Sequence, residues 1–416
     1  MTADWPIYLD HAATTPLDPQ VLEAMLPWMQ SMRGLGNPSS TGHCYGQHAA
    51  TAVEEAREAV AALVHAEPAG VVWTSGATEA DNLAVLGAAR FAGQRGRGRH
   101  VVSCRTEHKA VLEPLKQLER EGFEVTLLQP AADGSLTVEQ VLQALRDDTV
   151  LVSLMHANNE TGVVHPIAAI AEGLRDHAAV LHVDAAQSAG RLPVDVRGWG
   201  VDLLSLSAHK LHGPKGVGAL YVRSRPRLRL EPLMFGGGQE RGYRPGTLAT
   251  HQIVGFGKAC AVAAAGLDAD AARLVDLRDR LWSGLARQGG VQRNGRLDGA
   301  PHILNVAFVG VHGEALEAEL QGLAISAGAA CSSAEAMTSH VLRAMGVADD
   351  LAQSSFRFSL ARTTTTSEVD RAVAQTADAL ERLRAFSPAW RRYCETGAPM
   401  QGGAPGNGFS PGGSKG

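Results

Sequence analysis

The segment Ser205-Leu206-Ser207-Ala208-His209-Lys210 ends an apolar run and meets a glycine-rich stretch, Gly213-Pro214-Lys215-Gly216-Val217-Gly218. A lysine at the carboxyl end of a buried strand lies where open α/β sheets place their ligands. The spacing of Gly213, Gly216 and Gly218 resembles a dinucleotide fingerprint, but the strand-like Ala219-Leu220-Tyr221-Val222 follows where a helix is required. A nucleotide is therefore not expected. Upstream, Val180-Leu181-His182-Val183 delivers Asp184, with Ala185, Ala186 and Gln187 behind it. A carboxylate at the end of a buried strand is costly unless a cation or hydrogen bonds compensate it. Thr74-Ser75-Gly76-Ala77-Thr78-Glu79 follows a further strand and opens a helix, so its hydroxyls and backbone N–H groups could hold a phosphate.

An amine, an acid and a phosphate cup, each at a strand end, are what pyridoxal phosphate needs: a Schiff-base lysine, a partner for the pyridine nitrogen and an anion site. Further small polar segments, residues 156–161 and Thr106-Glu107-His108-Lys109, stand at other strand ends. The pairs His209/His212 and His43/His48 have spacings seen in metal sites but lack a matching acidic or thiol partner, so no dedicated metal site is expected.

The elements that must position these groups are legible from the hydrophobic pattern. Short apolar, β-branched runs at 71–73, 100–104, 124–128, 150–155, 180–183, 203–207 and 218–222 alternate with helical patterns at 47–64, 79–92, 110–121, 138–146 and 167–176. Such alternation predicts a mainly parallel sheet covered on both faces. An alanine-rich helix over 255–285, with an interruption, leads to a second unit with strands near 302–309 and 355–360, helices at 314–321 and 367–386, and a small-residue loop around Cys331. The expected division is an N-terminal segment 1–15 joining the small domain, a large domain 16–265, a small domain 266–394 carrying the Cys331 loop, and a disordered tail 395–416 rich in Gly, Pro and Ser.

The 416 residues are 45% hydrophobic and 19% charged with a formal charge of -5, which describes a globular chain and argues against constitutive nucleic-acid or anionic-membrane binding. No apolar run reaches the roughly 18 residues of a membrane span and no leader pattern opens the chain, so a cytoplasmic protein is expected. The five cysteines, Cys44, Cys104, Cys260, Cys331 and Cys394, are scattered without a C-x-x-C pair, which suggests neither a disulfide framework nor a zinc module.

Taken in order, Tyr8-Leu9-Asp10-His11-Ala12-Ala13-Thr14-Thr15-Pro16, Gly36-Asn37-Pro38-Ser39-Ser40, Thr74 to Asn82, Thr106-Glu107-His108-Lys109, Asn158-Asn159-Glu160-Thr161-Gly162, Val183-Asp184-Ala185-Ala186-Gln187, the Lys210 segment, Arg244-Pro245-Gly246-Thr247, the Cys331 loop and Arg357-Phe358-Ser359 resemble the class V aminotransferase-like pyridoxal-phosphate enzymes. Within them the resemblance is to cysteine desulfurases of the housekeeping iron–sulfur assembly type. It implies a fold type I α/β architecture, with a mainly parallel seven-stranded sheet in a large domain and a smaller α+β domain. It also implies removal of sulfur from L-cysteine to give L-alanine and an enzyme persulfide. The other readings are a class V lyase or aminotransferase for another amino acid, and a non-catalytic scaffold.

By the same resemblance, Lys210 carries the cofactor and moves the substrate's Cα proton, Asp184 pairs with the pyridine nitrogen, and His108 stacks on the ring and transfers protons. Gln187 and Asn159 hold the phenolic oxygen; Ala77, Thr78, Ser207 and His209 bind the phosphate, with Thr247 reaching it from the second subunit of a homodimer. Arg357, with Asn159 nearby, receives the substrate carboxylate. Cys331 forms the persulfide and is a candidate transient iron–sulfur ligand shared with a scaffold partner; scaffold proteins and other sulfur acceptors are the expected partners. Two departures are visible: His11 stands where relatives commonly have an aromatic residue, and the Gly/Pro-rich end after Tyr393 differs from the family ending that helps dock the scaffold.

Overall fold

The computed structural model describes residues 5–327, 329–330 and 337–397. In chain order its strands are β1 (Ile7–Tyr8), β2 (Val71–Thr74), β3 (His100–Cys104), β4 (Glu124–Leu128), β5 (Thr149–Met155), β6 (Val180–Asp184), β7 (Leu203–Ser207), β8 (Gly218–Val222), β9 (Val291–Asn294), β10 (Ile303–Phe308), β11 (Leu323–Ala324), β12 (Ser326–Ala327), β13 (Ala329–Ala330), β14 (Met337–Thr338) and β15 (Ser355–Ser359). Seven of them form a sheet in the order β2-β8-β7-β6-β5-β3-β4. Only β8 runs antiparallel to its neighbours, so β2, β3, β5, β6 and β7 all end on the same edge.

Buried strands of a two-sided sheet must be apolar on both faces. Val102, Val152, Leu154, Leu181, Val183, Leu204 and Leu206 turn to one core; Val101, Leu151, Leu203 and Leu220 turn to another, beneath the helix Ala77–Gln94. That second face is not purely apolar. Ser153 stands opposite His182, and Asp184 opposite Ser205, in the register of β5, β6 and β7. His182 contacts the Ser153 hydroxyl through Nδ1 at 2.8 Å and the Ser205 hydroxyl through Nε2 at 3.0 Å, a polar seam running toward the strand ends.

A smaller antiparallel sheet, β12-β15-β10-β9, packs against the helix Thr366–Ala385 and the second half of the helix Thr250–Ala286. The expected interruption of the latter is absent: it runs 37 residues, about 55 Å at ~1.5 Å per residue. Its first half gives Ile253, Phe256, Ala259 and Cys260 to the large sheet's core, its second gives Leu274, Leu277, Leu281 and Leu285 to the small one. The alanines between these stretches sustain the helix, and the lone Gly266 costs only about 1 kcal/mol. Gly257 permits close packing, because a Cβ there would lie 2.6 Å from Ala56 Cα of the helix Cys44–Leu63. The N-terminal segment crosses to the small unit: β1 pairs with β11, and Asp10 bridges to Ser359. The helix Pro388–Thr396 includes the first residues of the tail expected from 395, and residues 398–416 lie outside the described set. No helix among the described residues is long and apolar enough to cross a membrane.

Burial pushes the pKa values of His156, His165 and His182 down from 6.5 to about 4, 4 and 3, so the native chain holds them neutral. An unfolded chain takes up these protons as pH falls through about 6.5, whereas the folded one does not until near 4. Each histidine should therefore cost the fold about 1.4 kcal/mol per pH unit across that window. The urea midpoint is expected to fall steadily from about pH 6.5 to about pH 4.5; a flat profile would show that these side chains are already charged in the fold.

Candidate active site

The shared edge of β2, β3, β5, β6 and β7 opens into a cavity of about 570 Å³, lined among others by Ala77, Thr78, His108, Asn159, Asp184, Gln187, Ser207, His209 and Lys210. Each lies at a strand end or a few residues past one. Ser75 to Thr78 follow β2, and the helix starting at Ala77 has Gly76 as its N-cap with no side-chain cap bond, so its first N–H groups are available to an anion. A Cβ on Gly76 would point into open space, with Ser207 Oγ 4.0 Å away, whereas one on Gly218 would lie 2.6 Å from Gly76 Cα. The cup thus needs glycine at 218 for its walls to meet. His209, brought by β7, contacts Thr14 Oγ1 through Nδ1 at 3.1 Å, and burial lowers its pKa to about 4.

Asp184 ends β6, and its Oδ1 accepts the Ala186 N–H at 2.8 Å. Lys210 lies in the turn after β7; burial pushes its ammonium below the ordinary range, while the neighbouring Asp184 pulls it up. His108 caps the helix Lys109–Arg120, with Nδ1 accepting the Ala110 N–H at 3.1 Å, an arrangement that leaves the neutral ring's proton on Nε2. Burial, more than the surrounding cations, lowers its pKa, against the upward pull of Asp184. Asn158 builds the loop that presents Asn159: its Oδ1 accepts the N–H groups of Glu160 and Thr161, both at 2.9 Å, and its Nδ2 donates to the Thr106 carbonyl. Asn159 Oδ1 is buried and finds no partner among the described residues.

A second hollow of about 870 Å³ shares His108 and Asn159 with the first and is walled by Arg357, Ser326, Thr338, Ser339 and His340. Arg357 Nη1 donates to the Asn159 carbonyl at 2.7 Å, and Nη2 donates to Asp10 Oδ1 at 2.7 Å and Ser326 Oγ at 2.9 Å. Its Nε is buried without a partner among the described residues. Cys331, together with residue 328 and the rest of 331–336, lies outside the described residues; β13 and β14, which bracket it, pair antiparallel. Just past β14, His340 Nε2 contacts the Glu107 carbonyl at 2.9 Å and Ser339 Oγ donates to Glu160 Oε2 at 2.5 Å. Thr247 is exposed and does not line this chain's own cavity. Its loop is tied to the phosphate-cup helix, because Arg244 Nε donates to Glu79 Oε1 at 2.9 Å.

Several neighbours escaped the sequence reading. Asp10 and Ser326, which hold Arg357, come from segments more than 300 positions apart, and no local spacing joins them. Asp81 and Glu107 are buried carboxyls near Asp184; burial, added to by the Asp184 charge, raises both well above the usual carboxylate range. An acid on the apolar face of a helix, as Asp81 is beside Ala80 and Ala84, was the available signal. The histidine pairs fall to other partners: His43 caps its helix, His48 stacks on Trp28, and His212 Nδ1 contacts the Pro16 carbonyl. Among the described residues no group of three or more His, Cys, Asp or Glu could hold a metal ion.

An uncapped helix end with hydroxyls for an anion, an aspartate for a ring nitrogen, an orphaned amide oxygen and an amine between them fit pyridoxal phosphate. The chain belongs to the class V aminotransferase family of pyridoxal-phosphate enzymes, whose profile matches residues 7–372. Within that family it is similar to the cysteine desulfurase IscS of Vibrio atlanticus, at 53% identity over 391 residues that cover 94% of this chain and 96% of that protein. Among solved structures it is similar to a NifS-like protein, with a TM-score of 0.84 and 35% identity, covering 91% of this chain and all of the other. A structure of SspA in complex with cysteine gives a TM-score of 0.76 at 36% identity, covering 86% of this chain and 99% of that one.

Two lysines line the cavity, Lys210 and Lys215. Borohydride reduction of the cofactor-loaded protein followed by mass spectrometry is expected to label a peptide in the wild type and in Lys215→Ala but not in Lys210→Ala. Label persisting in Lys210→Ala would move the anchor to another amine.

Proposed function

We infer that the chain is a pyridoxal-phosphate-dependent cysteine desulfurase, converting L-cysteine and a thiol of its own into L-alanine and a persulfide on Cys331. The observation that carries this reading is the union of two hollows through His108 and Asn159: one holds Asp184, Gln187 and Lys210, the other is walled by Arg357 and by residues that flank the Cys331 segment. The solved complex of a 36% identical protein with cysteine agrees with that substrate class. When bound, pyridoxal phosphate supplies an electron sink for the bonds at the substrate's Cα and Cβ.

The remaining work falls to side chains. Asp184 pairs with the cofactor's ring nitrogen, Gln187 and Asn159 meet its phenolic oxygen, and the Ala77–Thr78 backbone, Ser207 and His209 hold its phosphate. Lys210 anchors the cofactor and, once free, takes the Cα proton; its lowered pKa enlarges the neutral fraction that can do so. His108 offers a proton at Nε2. Arg357 receives the substrate carboxylate, its orphaned Nε marking an unmet demand for an acceptor that otherwise costs about 1–3 kcal/mol. The Cys331 thiolate attacks the substrate sulfur: an S–S bond forms, the C–S bond breaks, and the carbon keeps the electron pair and is protonated to alanine.

The working unit is a homodimer in which Thr247 of each chain reaches the other's phosphate cup. Its exposure here, with Phe235 of the neighbouring loop 85% exposed, suits a surface covered by a second copy. The enzyme acts in the cytoplasm and passes sulfur to iron–sulfur scaffold proteins, where Cys331 is a candidate cluster ligand, and to other acceptors such as those of tRNA thiolation.

Alanine release from L-cysteine, with a reducing thiol present, tests the reading. Cys331→Ser is expected to bind pyridoxal phosphate as the wild type does and to lose at least ~100-fold in alanine production, the scale of removing a reacting group. Wild-type turnover by that variant would overturn the assignment.

A further inference from the structure

Gln187 lines the cofactor cavity, and its amide is held on two sides. Nε2 donates to the Ala12 carbonyl at 2.8 Å. A carbonyl only accepts, so this contact fixes which end of the amide is nitrogen and turns Oε1 the other way. There Oε1 meets Nε2 of His302 at 3.3 Å. His302 precedes β10, is fully buried, and accepts the Leu360 N–H on its own carbonyl at 2.8 Å. Burial first, then the charges of Arg191, Arg357 and Lys210, keep its ring neutral. A neutral imidazole carries one N–H. Since Gln187 Oε1 can only accept, and Nδ1 of His302 has no partner among the described residues, that proton sits on Nε2.

We propose that His302 is a positioning residue for the cofactor: it holds the Gln187 amide with the oxygen turned away and the second N–H left for the cavity. The site then offers a donor to an anionic ring oxygen. Without the His302 N–H, Oε1 is a buried acceptor with no donor, and the amide gains freedom to rotate, at the cost of the Ala12 contact. This role rests on the reading of Gln187 as a contact of the phenolic oxygen.

Four variants test it: His302→Leu, His302→Gln, Gln187→Ala and the double variant His302→Leu/Gln187→Ala. Pyridoxal-phosphate affinity and the visible absorption spectrum of the bound cofactor are the readouts, with thermal unfolding of each apoprotein as the control for folding. His302→Leu should weaken cofactor binding about tenfold, equivalent to about 1.4 kcal/mol, and shift the absorption band. His302→Gln, which keeps an N–H at the same reach, should restore both. The double variant should be no worse than Gln187→Ala, because the two act through one hydrogen bond. If Gln187→Ala alters binding and spectrum while folded His302→Leu leaves both at wild-type values, the positioning role is wrong. If Gln187→Ala is itself silent, the reading of Gln187 falls and the role of His302 with it.

Discussion

Asp184 is buried at the end of β6, and Lys210, three residues past the adjacent β7, is half-buried; a charge so placed persists only where a counter-charge or hydrogen bonds compensate it. Much of the surrounding structure answers that demand. Burial pushes the lysine toward its neutral form and Asp184 pulls it back, so the amine is poised between the two. Asp81 and Glu107 are buried close by, and burial, added to by the Asp184 charge, pushes both well above the ordinary carboxylate range. The polar seam of Ser153, His182 and Ser205 continues that environment beneath the helix Ala77–Gln94, where an ordinary sheet face would be dry.

The sheet end was legible in the sequence because strand and ligand groups are neighbours along the chain. Asp184 and Lys210 follow apolar runs directly, and residues 74–79 sit at a strand-to-helix junction, so local pattern and chemistry coincide. Arg357 was named from the family resemblance, and local pattern does not reach the groups that hold it. Its partners Asp10 and Ser326 are contributed by the N-terminal segment and by β12, brought together only by the pairing of β1 with β11 and of β12 with β15. His302 was hidden for the related reason that a histidine before an apolar strand reads as ordinary core until Gln187, 115 positions earlier, is seen against it. Helix ends were read to within a few residues, whereas the interruption expected within 255–285 did not exist, since the alanines around Gly266 outweigh that one glycine.

The proposed reaction must bring three separately built parts to one place: Lys210 after a strand of the large sheet, Arg357 on the small sheet, and the thiol of Cys331 on the segment beyond β13. The backbone shows how the first two are made mutually rigid. Arg191, buried, donates from Nη2 to the Lys210 carbonyl at 2.7 Å and from Nη1 to the Leu360 carbonyl at 3.3 Å, three residues beyond Arg357. Arg357 in turn donates to the carbonyl of Asn159, which faces both hollows. Two guanidiniums thus span the junction in opposite directions, each using carbonyl acceptors that a lysine ammonium, with no planar fork, would match less well.

The long helix Thr250–Ala286 sets the scale on which this works. Because one uninterrupted element fills both cores, a shift of the small sheet against the large one would have to bend it or repack one of its faces, and close-packed interiors resist both. The strands β13 and β14 are outside that constraint. They form their own two-stranded sheet and are secured after β14 by Ser339 and His340 to Glu160 and Glu107, residues on either side of the shared wall formed by His108 and Asn159. The residues just past β14 therefore contact the loops that carry His108 and Asn159, whereas Lys210 and Arg357 sit where the two guanidiniums tie the sheets together.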